Sequence, residues 1–194
     1  MVTGEHIAHA DWVCEQVRHV RYQRCELVEV DASEAELVGC VFTECEFTGV
    51  RFNAASVVRC ALVGCTFRRC RFFGATVDDC KLTGSRFVDC ELRPLTVAGG
   101  DWSYVSLRGA DLSGVSLRGV KLREADFTEA TLRDVDLRDA DLGYARLHHA
   151  RLRGADLRGA NLEAVALRGL DLTDVRIDLG QAALVAAAYG ARVE

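Results

Sequence analysis

The chain has 194 residues, a formal net charge of −5 and a hydrophobic fraction of 49%, which fits one soluble domain of ordinary size. No apolar run approaches the ~18 residues of a membrane span, and no charged segment followed by an apolar one opens the chain as a leader would. The mild acidity argues against a protein that coats nucleic acid through a basic face, and nine cysteines in so long and regular a chain do not read as a secreted disulfide scaffold.

From Trp12 onward the chain keeps a period of five. Every residue whose number ends in 2 or 7, from Trp12 to Ile177, is apolar: 34 positions with 18 Leu, 7 Phe, 4 Val, 2 Trp and one each of Tyr, Ala and Ile. At this composition, chance gives such a column with a probability on the order of 10⁻¹¹. The residue two places earlier is small almost throughout, as at Cys40, Cys60, Val105, Ala110, Ala125 and Ala155; Glu15, Ser85 and Gly100 break that rule, and Leu95 and Leu170 are oversized. The other three places are mostly polar, with Gly last at Gly109, Gly114, Gly119, Gly154, Gly159 and Gly169. Each pentad therefore reads as a short strand with two inward side chains followed by a bend. Such a strand buries nothing alone, so coils must stack as in a solenoid.

Identity along the first half gives the coil length. Phe47, Phe67 and Phe87 recur every 20 residues, with Phe127 two coils further on. Cys25, Cys45 and Cys65 form a second ladder, and Cys40, Cys60 and Cys80 a third. Four pentads per coil, a square prism, follows from that interval, and the 34 pentads make about 8.5 coils of ~4.8 Å each. Pro94, Leu95, Gly99 and Gly100 then mark a local kink between a Phe/Cys-rich half and a Leu/Ala-rich half, because proline removes a ladder donor and glycines accompany bends.

Beyond residue 177 the phase is lost. Residues 178–189 read as an α-helix with Asp178 as N-cap and Gly190 in the C′ position, dividing the chain into a repeat region, 1–177, and a C-terminal helix and tail, 178–194. The helix is apolar nearly all round, so one side is expected to cover the last coil and the other to meet a partner. A two-fold dimer through Leu179, Leu184, Val185 and Tyr189 satisfies both and closes without forming fibres; the alternative is a simple monomeric cap.

No catalytic constellation stands out. Eight cysteines (25, 40, 45, 60, 65, 70, 80 and 90) occupy the small inward column, where thiols act as small hydrophobes and do not converge as zinc ligands must. His148 and His149 point outward. A filled prism leaves no ligand pocket, and no phosphate loop or nucleophile motif occurs, so the expectation is a non-enzyme without cofactor or metal.

The A-[D/N]-L motif at Ala110-Asp111-Leu112, Ala140-Asp141-Leu142, Ala155-Asp156-Leu157 and Ala160-Asn161-Leu162 resembles the pentapeptide-repeat family, over about residues 10–177. The resemblance implies an all-β solenoid, the right-handed quadrilateral β-helix. Within the family the unbroken phase, the segment CELRPLT (90–96) and the tail VRIDLGQAALVAAAYG (175–190) resemble the gyrase-binding, quinolone-resistance members of the MfpA and Qnr type, the first more than the second. That implies a dimeric rod, similar to duplex DNA in width and charge, seated on the DNA-binding saddle of DNA gyrase or topoisomerase IV in a bacterial cytoplasm. It would inhibit the enzyme or protect it from quinolones or related poisons, without contacting nucleic acid or membrane directly.

Length suits this reading: an end-to-end dimer of ~80 Å matches ~24 base pairs at 3.4 Å each. Charge suits it less. Sorted by wall, outward acids against bases run 8 to 6, 7 to 6, 5 to 5 and 6 to 6, far below the one charge per ~1.7 Å of duplex. Arg118, Arg138 and Arg158 even build a basic ladder beside Asp136, Asp139 and Asp156. The contact would therefore fall to local acidic positions, for which Asp101, Asp111, Asp126, Asp136, Asp141 and Asp156 are the candidates. A structural or interaction module with a different partner is the alternative.

Overall fold

The structure, a computed structural model describing residues 1–193, winds the five-residue pattern into a right-handed, four-walled parallel β-helix closed by one α-helix. Register is set at 20 residues: Phe47 lies beside Phe67 and Phe67 beside Phe87 in parallel pairing. Stacking identical rings on that interval is itself favourable. Phe47 and Phe67 have centroids 4.7 Å apart at 13°, and Phe67 and Phe87 4.8 Å apart at 11°. The walls are named below by one central residue each: Tyr22, Leu27, Ala32 and Leu37.

The stack begins earlier than the apolar column from Trp12 suggests. Val2 pairs with Tyr22 and Ile7 with Leu27, so two more pentads join the first coil. Their outward neighbours are Thr, Gly and His rather than the usual charged residues, which hides the phase.

Three walls start as stacks of short strands, from Val2–Thr3 to Ala61–Val63, from His6–Ala8 to Arg86–Val88, and from Gln16–Arg18 to Leu95–Ala98. The Ala32 wall, and all four walls above residue 98, are held by single bridges. In those pentads the N–H of the small inward residue turns back to the carbonyl three residues before it, as Ala110 does to Leu107 (3.0 Å) and Val115 to Leu112 (3.0 Å). Every corner residue, numbered in 4 or 9, has φ in the left-handed region from Gly4 to Asp174, Pro94 alone excepted. Side chains other than glycine resist that region, so the corner is an imposed geometry that Gly109 or Gly154 meets freely and Ala164 does not.

The bulky column is buried without a gap from Leu27 to Leu167. Between its ring stacks only a seam of about 20 Å³ remains. The small column does more than fill space. Cys60 Sγ donates to Leu37 O (3.3 Å) and accepts from Cys40 N (3.3 Å), and Cys80 repeats the pattern one coil higher. Ser85, which breaks the small-hydrophobe rule, makes the same contacts with an oxygen: it donates to Leu62 O (2.6 Å) and accepts from Cys65 N (2.9 Å). Gly100 is required by a close approach, since a Cβ there would collide with the Cys80 carbonyl oxygen.

The kink expected at Pro94 is a break in one wall only. Ala54 N–H donates upward to Phe73 O (2.8 Å) and Gly74 N–H to Pro94 O (2.7 Å), but Pro94 has no N–H to pass on. Among the described residues the Ala32 wall has no bridge between Glu91 and Asp111, while the other three walls pair straight through. Arg93 and Asp111, 3.1 Å apart, span the break.

The helix runs Leu179–Ala188. Asp178 caps it, accepting from Gln181 N (2.9 Å) while Gln181 Oε1 accepts from Asp178 N (3.0 Å), a reciprocal capping box. The same two residues fasten the helix to the column. Asp178 Oδ2 accepts from Gly159 N (2.9 Å), and the buried Gln181 amide donates to the carbonyls of Leu157 and Ala160 (2.5 and 2.9 Å). Gly190 takes φ +89° after the last turn.

Candidate functional site

The six carboxylates singled out from the sequence lie on all four walls. Asp101 and Asp141 share the Tyr22 wall with Lys121 between them, Asp126 is on the Leu27 wall, Asp111 on the Ala32 wall, and Asp136 and Asp156 stack on the Leu37 wall. Their first role is local. In each, Oδ1 accepts the N–H two residues on: Ser103 for Asp101 (3.1 Å), Ser113 for Asp111 (3.0 Å), Thr128 for Asp126 (3.0 Å), Arg138 for Asp136 (3.1 Å), Gly143 for Asp141 (3.0 Å) and Arg158 for Asp156 (3.2 Å). This is the Asx-turn by which aspartate shapes a bend.

Most of these acids also hold a cation. Arg138 makes two bonds to Asp136 (2.9 and 2.7 Å) and Arg158 two to Asp156 (2.9 and 2.6 Å). Arg118 reaches Asp139 at 3.0 Å, and Arg146 reaches Asp126 at 3.5 Å. The Arg158 guanidinium holds the Asp156 carboxyl down at about 2, as the Arg51 side chain does for Asp31. The basic ladder on the Leu37 wall thus neutralises the carboxylates beside it, and the wall presents no strip of free negative charge.

Charge varies along the axis more than between walls. Residues 25–50 carry Glu26, Glu29, Asp31, Glu34, Glu36, Glu44 and Glu46 and no Lys or Arg; residues 51–77 carry Arg51, Arg59, Arg68, Arg69 and Arg71 and no acid. Since a coil is 20 residues, the two runs form an acidic collar and a basic collar around the column. Sorting by wall conceals this, although it is plain in the linear order. A second cluster required the fold to be seen. Arg123 lies 4.6 Å over the Tyr144 ring and 3.1 Å from Glu163, and the Tyr144 hydroxyl donates to Glu163 (2.9 Å).

At the capped end the residues proposed for a dimer seam divide. Leu179 is 91% exposed, Leu184 47% and Tyr189 62%. Val185 faces the other way, half-buried against the core with Ala188, and so belongs to the contact between helix and column. The Tyr189 hydroxyl reaches back to Gly169 N at 3.4 Å.

No group of three or more His, Cys, Asp or Glu side chains is placed to hold a metal ion among the described residues, and none of its helices is long and apolar enough to cross a membrane. All nine cysteines are free thiols. The concavities are open troughs between outward side chains, one of them about 700 Å³ and lined by His9, Glu29, Asp31, Arg51 and Arg71 among others.

Eight copies of the pentapeptide-repeat family model match residues 25–60, 59–88, 103–143 and 140–177, and the chain belongs to that family. The unmatched stretch 89–102 contains Pro94. Among solved structures the fold is similar to that of QnrB1, a plasmid-mediated fluoroquinolone resistance protein. A trypsin-treated variant of QnrB1 superposes with a TM-score of 0.88 at 23% identity, covering 100% of this chain and 97% of that one. Full-length QnrB1 gives 0.79 at 19% identity, covering 97% and 99%. No curated protein matches the sequence.

Proposed function

We propose that this protein binds a type II topoisomerase, DNA gyrase or topoisomerase IV, at the saddle that receives DNA, in the cytoplasm of a bacterium. It inhibits the enzyme, protects it from quinolones or related poisons, or does both. The carrying observation is the uninterrupted column, ~41 Å of stacked coils, closed by a helix that leaves Leu179 and Leu184 in solvent. Exposed apolar side chains at one end of a rod favour end-to-end pairing, and two rods so joined have the length of a bound DNA segment. The resemblance of the repeats, proline segment and tail to gyrase-binding members, and the likeness in fold to QnrB1, support the same reading.

Shape carries this recognition more than charge, because the carboxylates of the upper column are largely committed to Asx-turns and arginines. The test is a supercoiling assay with purified gyrase, with and without a quinolone. Inhibition, or relief of drug-stabilised cleavage, is expected at micromolar protein; no effect on either would reject the proposal.

A second reading, an interaction scaffold for another protein, is favoured by the balanced charge of the walls. A pull-down that recovers a different partner and no gyrase subunit would select it.

A further inference from the structure

On the Leu27 wall the hydrogen-bond ladder is open between the last two coils. Two coils down it is complete: Leu107 N–H donates to Asp126 O (2.8 Å), Gly109 to Thr128 O (2.9 Å) and Asp126 to Val105 O (2.8 Å). One coil higher it is complete again, with Phe127 donating to Arg146 O (2.8 Å), Glu129 to His148 O (2.9 Å) and Arg146 to Ala125 O (2.9 Å). The equivalent bonds from Leu147 and His149 up to the 165–169 pentad, and from Ala166 down to Ala145, are absent among the described residues, and no bridge joins Arg146 to Ala166. The Ala32 wall is open between the same coils: among the described residues no bridge joins Arg151 to Asp171 and Leu152 donates nothing upward, leaving only Gly154 to Thr173 (3.4 Å), and pairing resumes on the Leu37 wall with Leu157 to Arg176 (2.8 Å). The last coil is therefore loosened from its neighbour along two adjacent walls, and on the Leu27 wall the opening is a slit.

The slit widens into a concavity of about 470 Å³, lined by Tyr144, Arg146, His148, His149, Ala166 and Arg168 among others. Elsewhere on this wall the place of Ala166 is filled by larger side chains such as Arg146 and Asp126, so the rim is low there. Three unpaired backbone N–H groups, of Leu147, His149 and Ala166, border the slit. Leu147 is buried, whereas His149 and Ala166 are exposed, and a buried N–H needs an acceptor. The charged groups around them are cationic or already engaged: Asp126 is held by Arg146 (3.5 Å), Glu129 by Arg108 (3.2 Å), and Glu163 by Arg123 (3.1 Å). Arg168 has no carboxylate partner among the described residues. His148 and His149 lie with ring centroids 3.8 Å apart, tilted at 50°, and add ring N–H donors.

We propose that this slit is an anion-binding site for a phosphoryl group, which takes backbone N–H bonds from Leu147 and His149, charge-assisted bonds from Arg168 and ring N–H bonds from the histidine pair. Backbone donors together with an arginine fork suit a tetrahedral oxyanion, and the volume admits a diphosphate. Nothing in the proposal depends on a topoisomerase partner.

Inorganic pyrophosphate titrated into the full chain at constant ionic strength, followed by calorimetry, tests the assignment. Saturable binding with Kd at or below ~1 mM is expected, weakened at least about tenfold by Arg168→Ala and by Ala166→Glu, and unchanged by Arg118→Ala on the Leu37 wall. Arg168 and Ala166 are outward-facing, so each variant should melt with the parent, and melting curves verify it. Absence of saturable binding at ~10 mM, or equal affinity in Arg168→Ala, overturns the proposal.

Discussion

Individual side chains carry two opposite demands in every pentad, an apolar one inward and a left-handed backbone at the corner. Leu137 is fully buried, so Leu137→Asp places an unpaired charge in the column and should cost ~4 kcal/mol or more. A chemical melt resembling that of the parent would contradict its inward placement. Gly100→Ala meets the Cys80 carbonyl backbone and should destabilise by ~2 kcal/mol. Gly109→Ala has open space around its Cβ and only the φ of +68° to contend with, so ~1 kcal/mol is expected; equal losses at both glycines would refute the distinction. Asp31 and Asp156 titrate at about 2 in the fold, below the ~3.9 of a free aspartate. The stability they add is complete above pH ~4 and disappears as pH falls toward 2. Asp31→Asn with Asp156→Asn should therefore flatten the loss of melting temperature between pH 4 and 2, and an unchanged acid limb would show that these pairs do not act.

Among elements, the pentad was fully legible and its setting was not. The burial of Leu27 through Leu167, the 20-residue coil and the helix with its Asp178 cap all followed from residue spacing, because each depends on side chains repeating in register. The apolar column counted from Trp12 leaves out the two opening pentads, although they lie within the repeat region 1–177, since Val2 and Ile7 lack charged residues beside them. Ser85 looked like an exception, yet its hydroxyl does for Leu62 and Cys65 what a thiol does for Leu37 and Cys40. The helix face was misjudged at Val185: a helix apolar all round gives no clue to which side docks, and the side is decided by Gln181, whose amide must reach the Leu157 and Ala160 carbonyls. Removing those bonds with Gln181→Ala should cost ~1–3 kcal/mol and loosen the helix, read as faster exchange of its amides. Undiminished protection of residues 182–188 would place the fastening elsewhere.

At the scale of the molecule, the column is a solid object whose upper carboxylates are largely held by arginines, and two features stand out at the same end. One is the free apolar face of the helix. Leu179→Glu with Leu184→Glu should convert the proposed dimer to a monomer by light scattering, and a dimer that survives both changes would remove this face from the seam. The other is the slit, which no periodicity could disclose, because residues 145–149 and 165–169 obey the five-residue rule as well as any others. The central claim, that two inward side chains per pentad lock the chain into a ladder broken only at Pro94 and at the last coil among the described residues, is tested most directly by amide hydrogen exchange resolved to single residues. Slow exchange is predicted for the ladder donors Phe127, Leu132 and Leu137, with fast exchange at Leu147, His149 and Ala166. Rapid exchange at Leu132 and Leu137, or equal protection at Leu147 and Phe127, would contradict it.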